Sequence, residues 1–246
     1  MSPTRHDDTG PTRQSLAHGE RVEWHFHSVH QLAAPGRGVL RVFTPAGSWV
    51  VPPHRAVWLP AGTEHAHQAH GPSELRCLTF AAELNPLGLQ RPAVLAVSPL
   101  LRELIATLTG PGASRSALLE QAALEQLREA PELPLGLPTP RDPRLRDLAE
   151  LLLADPADPR TLAQLGTAVG AAERTLSRLF RRETGLSFPQ WRAQLRLHHA
   201  LALLADGRSV TAVAAAAGYR SPSAFIEAFR LAFGTTPGRY QRERAD

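Results

Sequence analysis

Histidines recur at alternate positions in two places. His25 and His27 are separated by one residue, and so are His65 and His67. Alternate side chains of an extended strand share a face. Two imidazoles from one strand and one from a facing strand, His25, His27 and His65, could therefore hold a divalent metal facially. The residues leave three uses open: a metal site, a small-molecule pocket without metal, and a purely structural barrel. A different chemistry sits near the other end. Arg174, Ser177 and Arg178 fall on one side of a helical pattern whose other side carries Leu176, Leu179 and Phe180. Guanidinium forks grip phosphates and read the guanine edge, so this face suits a polyanion. A solvated helix face is the competing use of the same arginines.

The chain of 246 residues is 43% hydrophobic and 20% charged, which excludes wholesale disorder. Its apolar runs break at Arg, Glu or Pro well before the ~18 residues that a membrane span needs. The polar segment from Met1 to Gly19 has no apolar core, so no secretory signal is expected. Cys77 is the one cysteine, which excludes an internal disulfide and any site built from several thiolates. A cytoplasmic location is the expectation. All 27 basic residues are arginine. From Arg160 to Arg244, 13 Arg face 5 acids, a local charge of +8; from Met1 to Pro140, 11 Arg face 12 acids. Nine of the 11 histidines precede Gly71. A basic back on a neutral, histidine-rich front suggests a polyanionic partner for the back. Arginine supplied indiscriminately by a GC-rich genome would give the same totals.

Val39–Phe43, Trp49–Val51, Ala56–Leu59 and Leu75–Phe80 are β-branched or aromatic. Pro- and Gly-containing turns, among them Gly71-Pro72, separate them. Close spacing from Glu20 to Phe80 predicts an antiparallel sandwich or barrel of short strands. His30, His54 and His70 read as loop or surface residues, and Cys77 as buried. Helical spacing follows at Pro99–Leu108 and Ser114–Ala130, broken by Gly110-Pro-Gly112, which predicts a helical hairpin. Pro131 to Pro143 holds five prolines, and residues 131–141 read as a linker. From Asp142 onward the pattern is helical, about seven helices by their start signals. Those signals include Asp142-Pro143, Thr161 with Gln164, Ser187 with Gln190, and Ser221-Pro222.

Two segments of the back half repeat. Leu162, Leu165, Gly166 and Gly170 precede Leu176, Leu179, Phe180, Arg181 and Gly185. Val210, Val213, Ala214 and Gly218 precede Phe225, Phe229, Arg230 and Gly234. The turn glycines lie 48 apart and the closing glycines 49. Gly166 and Ala214 are small enough for close helix approach, and Gly170 and Gly218 suit the positive φ of a tight turn. Each unit is thus a helix, a turn and a second helix able to enter a major groove. The helix Phe188–Ala205 joins the two, with Trp191 as its anchor.

Residues 142–244 resemble the DNA-binding domain of the AraC/XylS family of transcription regulators. The likeness rests on Arg174-Thr-Leu-Ser-Arg-Leu-Phe-Arg-Arg-Glu-Thr-Gly185 and on the stretch from Ala216 to Tyr240. It implies that both second helices face DNA, in successive major-groove segments about 34 Å apart. Carried over residue by residue, it places base or backbone contacts on Arg174, Ser177 and Arg178, and phosphate contacts on Arg181 and Arg182. The second-helix contacts fall on Ser221, Ser223, Ala224 and Glu227, with Arg220 just before them. This chain departs from the family at Ala172, where a capping Ser is usual, and at Glu227, where Arg or another donor is common. Losing the cap costs about 1 kcal/mol, which Glu173 partly offsets through the helix dipole. Glu227 either accepts from cytosine N4 or marks the weaker half.

His25-x-His27 with Pro60-x-Gly62-x2-His65 resembles the two halves of the cupin signature, over residues 20–82. Gln31 stands at that family's acidic position, and a neutral amide is a poor replacement for a carboxylate. The expected fold class is α+β. A cupin-like barrel with the helical hairpin spans 20–130, and an all-α domain with two helix-turn-helix units spans 142–244. The expected function is sequence-specific transcription regulation without enzymatic activity, the barrel taking a small-molecule effector or a divalent metal. Expected partners are double-stranded DNA, RNA polymerase and a second copy of the chain, with no membrane. The hairpin would pack against that copy or against the barrel. The alternative is a cupin metalloenzyme, a small-substrate dioxygenase with a helical appendage, which Gln31 disfavours. A DNA-repair methyltransferase sharing this DNA-binding domain would need a cluster of cysteines.

Overall fold

Two long strands organise the front of the chain, and both run through residues that ordinarily break strands. The computed structural model describes residues 3–6, 10–112, 116–133 and 135–245, divided into two units, Met1–Gly136 and Leu137–Asp246. In the first unit the elements are β1 (Thr4–His6), β2 (Thr12–Leu16), β3 (Arg21–His27), β4 (His30–Thr44), β5 (Gly47–Val51), β6 (Arg55–Leu59), β7 (His65–Phe80), β8 (Ala93–Ala96), α1 (Pro99–Leu108), α2 (Ala117–Arg128) and β9 (Glu132–Leu133). The strands join in the order β1-β3-β7-β4-β6-β8-β9, with β2 on β7 and β5 on β4.

The strands are longer than their β-branched cores suggest. Gly71-Pro72, expected to be a turn, lies inside β7, which pairs with β4 from His30↔Phe80 to Phe43↔Ala66. Register shifts at Pro35/Arg37 and Arg37/Val39 absorb the irregularity. Gly71 there takes φ +72°, a value open to glycine at little cost. The sheet also begins before residue 20, because β1 and β2 belong to it. Residues 131–141, expected as a linker, are partly built into it: Glu132 and Leu133 pair with Leu95 and Val94.

The helical hairpin forms as expected at α1, and α2 starts at Ala117; Ser114 lies outside the described residues. Ser98 caps α1 by accepting from Leu101 N. The apolar stripe Leu101, Leu104, Ile105 and Leu108 packs with Leu32, Trp58, Leu78 and Phe80 of the sheet, and Ala123 and Leu127 of α2 join the same core. The hairpin therefore buries its stripe on its own sheet, while Leu100 and Leu118 stay exposed.

The second unit is helical: α3 (Pro143–Ala154), α4 (Leu162–Ala168), α5 (Glu173–Thr184), α6 (Phe188–Ala205), α7 (Val210–Ala216), α8 (Pro222–Phe233) and α9 (Pro237–Ala245). Capping explains the starts. Asp142 accepts from Arg144 N, Thr161 and Gln164 satisfy each other's backbone, and Ser221 accepts from Ala224 N. Leu145, Leu148, Leu165, Leu176, Phe180 and Trp191 are buried in one cluster. Around α8, Phe229 packs on Phe225, Phe233 and Tyr240 at ring distances of 5.7, 4.6 and 5.7 Å. Among the described residues no helix is long and apolar enough to cross a membrane.

Candidate nucleic-acid interface and histidine cluster

In the second unit, α4 and α5 form one helix pair and α7 and α8 another. At the first, a Cβ on Gly166 would lie 2.4 Å from the Ala171 carbonyl oxygen, so only glycine permits that approach. Both second helices close on a glycine at φ +72°, Gly185 and Gly234, whose N–H groups donate to Arg181 O and Arg230 O. Trp191 is buried and donates to the Pro138 carbonyl at 3.1 Å, as an anchor should.

The expected DNA-facing side chains stand on the outer surface of these helices. Arg174, Arg178, Arg181 and Arg182 of α5 are exposed and Ser177 is half-buried beside them. Leu176, Leu179 and Phe180 point the other way, into the core. Arg182 is partly committed: it pairs with Glu183 at 3.0 Å. Glu183 also accepts from the backbone N–H groups of Arg141 and Asp142, which hold its carboxyl below the usual range. Glu183 thereby ties the start of α3 to the end of α5, a link that spacing alone did not reveal. On the second pair, Arg220, Ser221, Ser223, Ala224 and Glu227 are all exposed. Ser221 is engaged as the α8 cap at 3.2 Å. Ala172 gives α5 no side-chain cap.

In the first unit, His25, His27 and His65 are buried and meet across β3 and β7, with His25 opposite His65. One ring nitrogen from each falls within 4.8 Å of the others. Each Nδ1 lies by a backbone carbonyl: His25 by Glu23 at 2.7 Å, His27 by His6 at 3.2 Å, His65 by Thr63 at 2.8 Å. A carbonyl only accepts, so each Nδ1–H donates and each Nε2 keeps its lone pair. That is how ligating histidines are usually held. Burial, with the neighbouring imidazoles, pushes His65 down to about 3, so its ring is neutral at ordinary pH.

Two more imidazoles complete the cluster. His67, fully buried, sits 5.1 Å from His65 ring to ring, and His6 stacks on His25 at 4.4 Å. Nothing in the local spacing flagged His6, which arrives through the parallel pairing of β1 with β3. Gln31 reaches the same place, its Nε2 3.3 Å from His27 Nε2. Its Oε1 and His65 Nε2 are buried without hydrogen-bond partners. Both atoms are acceptors, so a cation would satisfy both. Among the described residues no carboxylate joins the three histidines.

Two expectations change. His30 is buried, bonded to Ala82 O and Ala61 N and stacked on Trp58 at 5.0 Å, so it is a core residue. His70 lies within β7 opposite Val39 and is half-buried, not in a loop. Cys77 is buried as expected. A separate cavity of about 370 Å³ lies between β7 and the hairpin, lined by Val29, Leu78, Phe80, Leu108, Leu124 and Glu120.

A helix-turn-helix domain profile matches residues 165–243, which span both helix pairs. The HTH-type transcriptional regulator NimR of Escherichia coli K12 is 38% identical over 224 residues, covering 88% of this chain and 81% of that protein. The chain belongs to the AraC-type helix-turn-helix transcription regulators. As a member, it is a DNA-binding transcription regulator. A second such regulator, RipA of Corynebacterium glutamicum, is 38% identical over 104 residues, 42% of this chain and 31% of that protein. A solved AraC-type regulator structure from Chromobacterium violaceum is 28% identical, covering 42% of this chain and 94% of that one, with a TM-score of 0.40.

Proposed function

We propose that this AraC-type regulator reads two successive major-groove segments, one through α5 and one through α8. The observation that carries this is the pair of outward faces: Arg174, Ser177 and Arg178 on α5, and Ser221, Ser223, Ala224 and Glu227 on α8, all away from the apolar core. Arg174 and Arg178 read base edges; Arg181, Arg182 and Arg220 grip phosphate. Two copies of the chain bind together and double the footprint, and RNA polymerase is the downstream partner. The test begins with genome-wide mapping of bound sites. Arg178→Ala then weakens binding to the mapped operator far more than to random DNA at one salt concentration. Equal loss on both would demote it to a phosphate contact.

The first unit is the sensor, a cupin-like arrangement rather than an enzyme. His25, His27 and His65 would hold a divalent transition metal, with Gln31 beside it; the inward lone pairs and the two buried orphan acceptors support this use. Such an ion would supply a fixed positive charge with open positions for a ligand. The cavity against the hairpin suits a mainly apolar small effector, since its volume is that of an ordinary ligand site. Elemental analysis and Co²⁺ titration check the metal: His65→Ala should abolish uptake, and chelation should change affinity for the operator. Equal uptake by wild type and His65→Ala would remove the site. Stoichiometric iron with oxygen consumption would favour the oxygenase instead.

A further inference from the structure

Two arginines on one face of α6, Arg192 and Arg196, are half-buried and bonded inside the second unit. Arg192 donates to the Arg160 carbonyl at 2.7 Å. One turn later, Arg196 donates to the Pro156 carbonyl at 3.1 Å and lies 3.5 Å from the Asp158 carbonyl. Together they hold the loop 155–161, which ends at the Thr161 cap of α4. The loop is stiffened from within: the buried Asp158 carboxylate takes both Nε and Nη2 of Arg160, the latter at 2.6 Å, and the Arg160 N–H.

The same guanidinium meets the other helix pair. Gly218, in the turn between α7 and α8, packs so closely that a Cβ there would lie 2.7 Å from Ala157 Cα and 2.8 Å from Arg196 Nη2. Its φ of +73° is also one that residues with a side chain rarely adopt. Arg196 therefore stands where the approach to the first pair touches the turn of the second. The planar fork suits this place, because it can address two carbonyls at once.

We infer that Arg196 is a positioning residue which, wedged between loop 155–161 and Gly218, sets the phase at which α5 and α8 meet the duplex. This rests on the two-segment reading. Rigidly linked modules gain affinity only on targets that match their spacing, whereas loosely linked ones tolerate other spacings. Without Arg196 the protein keeps each recognition helix but loses its preference for one separation of the two segments.

The experiment uses the full chain and three duplexes: the mapped operator, the same operator with one base pair inserted between its segments, and one with the second segment scrambled. Wild type should prefer the first over the inserted duplex by about tenfold or more. Arg196→Met keeps the aliphatic stem and removes the donors. Its preference should fall to within about threefold, with affinity for the scrambled duplex unchanged. Arg192→Met, which loosens the same loop at Arg160, is the control and should retain the spacing preference. If Arg196→Met fails to fold by circular dichroism, Arg196→Lys, able to hold one carbonyl, takes its place and should show an intermediate preference. Full spacing preference in the Arg196 variant overturns the proposal. So does an equal loss on all three duplexes, which would mean that Arg196 only supports folding. Wild type binding the operator and the scrambled duplex equally would instead refute two-segment reading, and the proposal with it.

Discussion

The two helix pairs of the second unit share a backbone plan and differ in the chemistry of their outer faces. Both close on a left-handed glycine at φ +72°, and both bury one apolar face, Leu176, Leu179 and Phe180 on α5 and Phe225, Phe229 and Phe233 on α8. The first pair carries four exposed arginines on α5 but starts that helix without a side-chain cap. The second caps α8 with Ser221, yet presents serines, an alanine, the carboxylate of Glu227 and one exposed arginine, Arg230. Duplication has kept the geometry, while charge and helix stability have been distributed in opposite senses. On the proposed reading, the first pair grips DNA more strongly and the second is the better capped.

The largest effect that could break this contrast is on binding. Arg174→Ala should reduce affinity for the operator by about 10- to 100-fold, as expected for loss of a bidentate base contact worth about 1–3 kcal/mol. Glu227→Ala should do the reverse on a small scale, raising affinity for operator and random DNA alike by removing a carboxylate from the phosphate field. Fluorescence anisotropy against both duplexes measures each. A loss confined to one base pair with Glu227→Ala would make α8 a cytosine reader and its grip equal to that of α5.

Stability should invert the order. Ala172→Ser supplies the missing cap and should stabilise the second unit by about 1 kcal/mol, and Ser221→Ala should destabilise it by about as much. Thermal denaturation of the two variants reads both. Equal and negligible shifts would show that packing, not capping, sets both helices.

How much of this was visible beforehand depended on whether the cause was local. Asp142, Thr161, Ser187 and Ser221 announced helix starts because a cap acts within three residues. The repeated glycines announced the pairs because a tight turn admits few alternatives. The long strands stayed hidden: β7 continues through Gly71-Pro72 because residues 71–73 bulge opposite Gly38 of β4, and no window on one strand shows its partner's register. His67 and Gln31 were legible from alternation and motif position, but His6 reaches the metal-ligand candidates only through the pairing of β1 with β3. Arg192 and Arg196 carry no local signal, since only the fold brings loop 155–161 under them.

The smallest expected effect concerns the second pair alone. Burial raises the Tyr219 phenol to about 12, against an ordinary value near 10. The fold favours its protonated form, so that contribution is intact below about pH 10 and fades as pH climbs towards about 12. Tyr219→Phe should flatten the alkaline end of the stability profile. An unchanged profile would mean that the ring reaches water more freely than its packing on Phe225 suggests.

Cys77 has a practical consequence. It is the chain's single thiol, and it lies 2% exposed near the end of β7, paired across to Ala33 and Thr12. An alkylating reagent can reach it only when that strand pairing opens. Labelling kinetics thus report opening of the first unit with no background from the second, and a ligand that tightens the sheet will slow them.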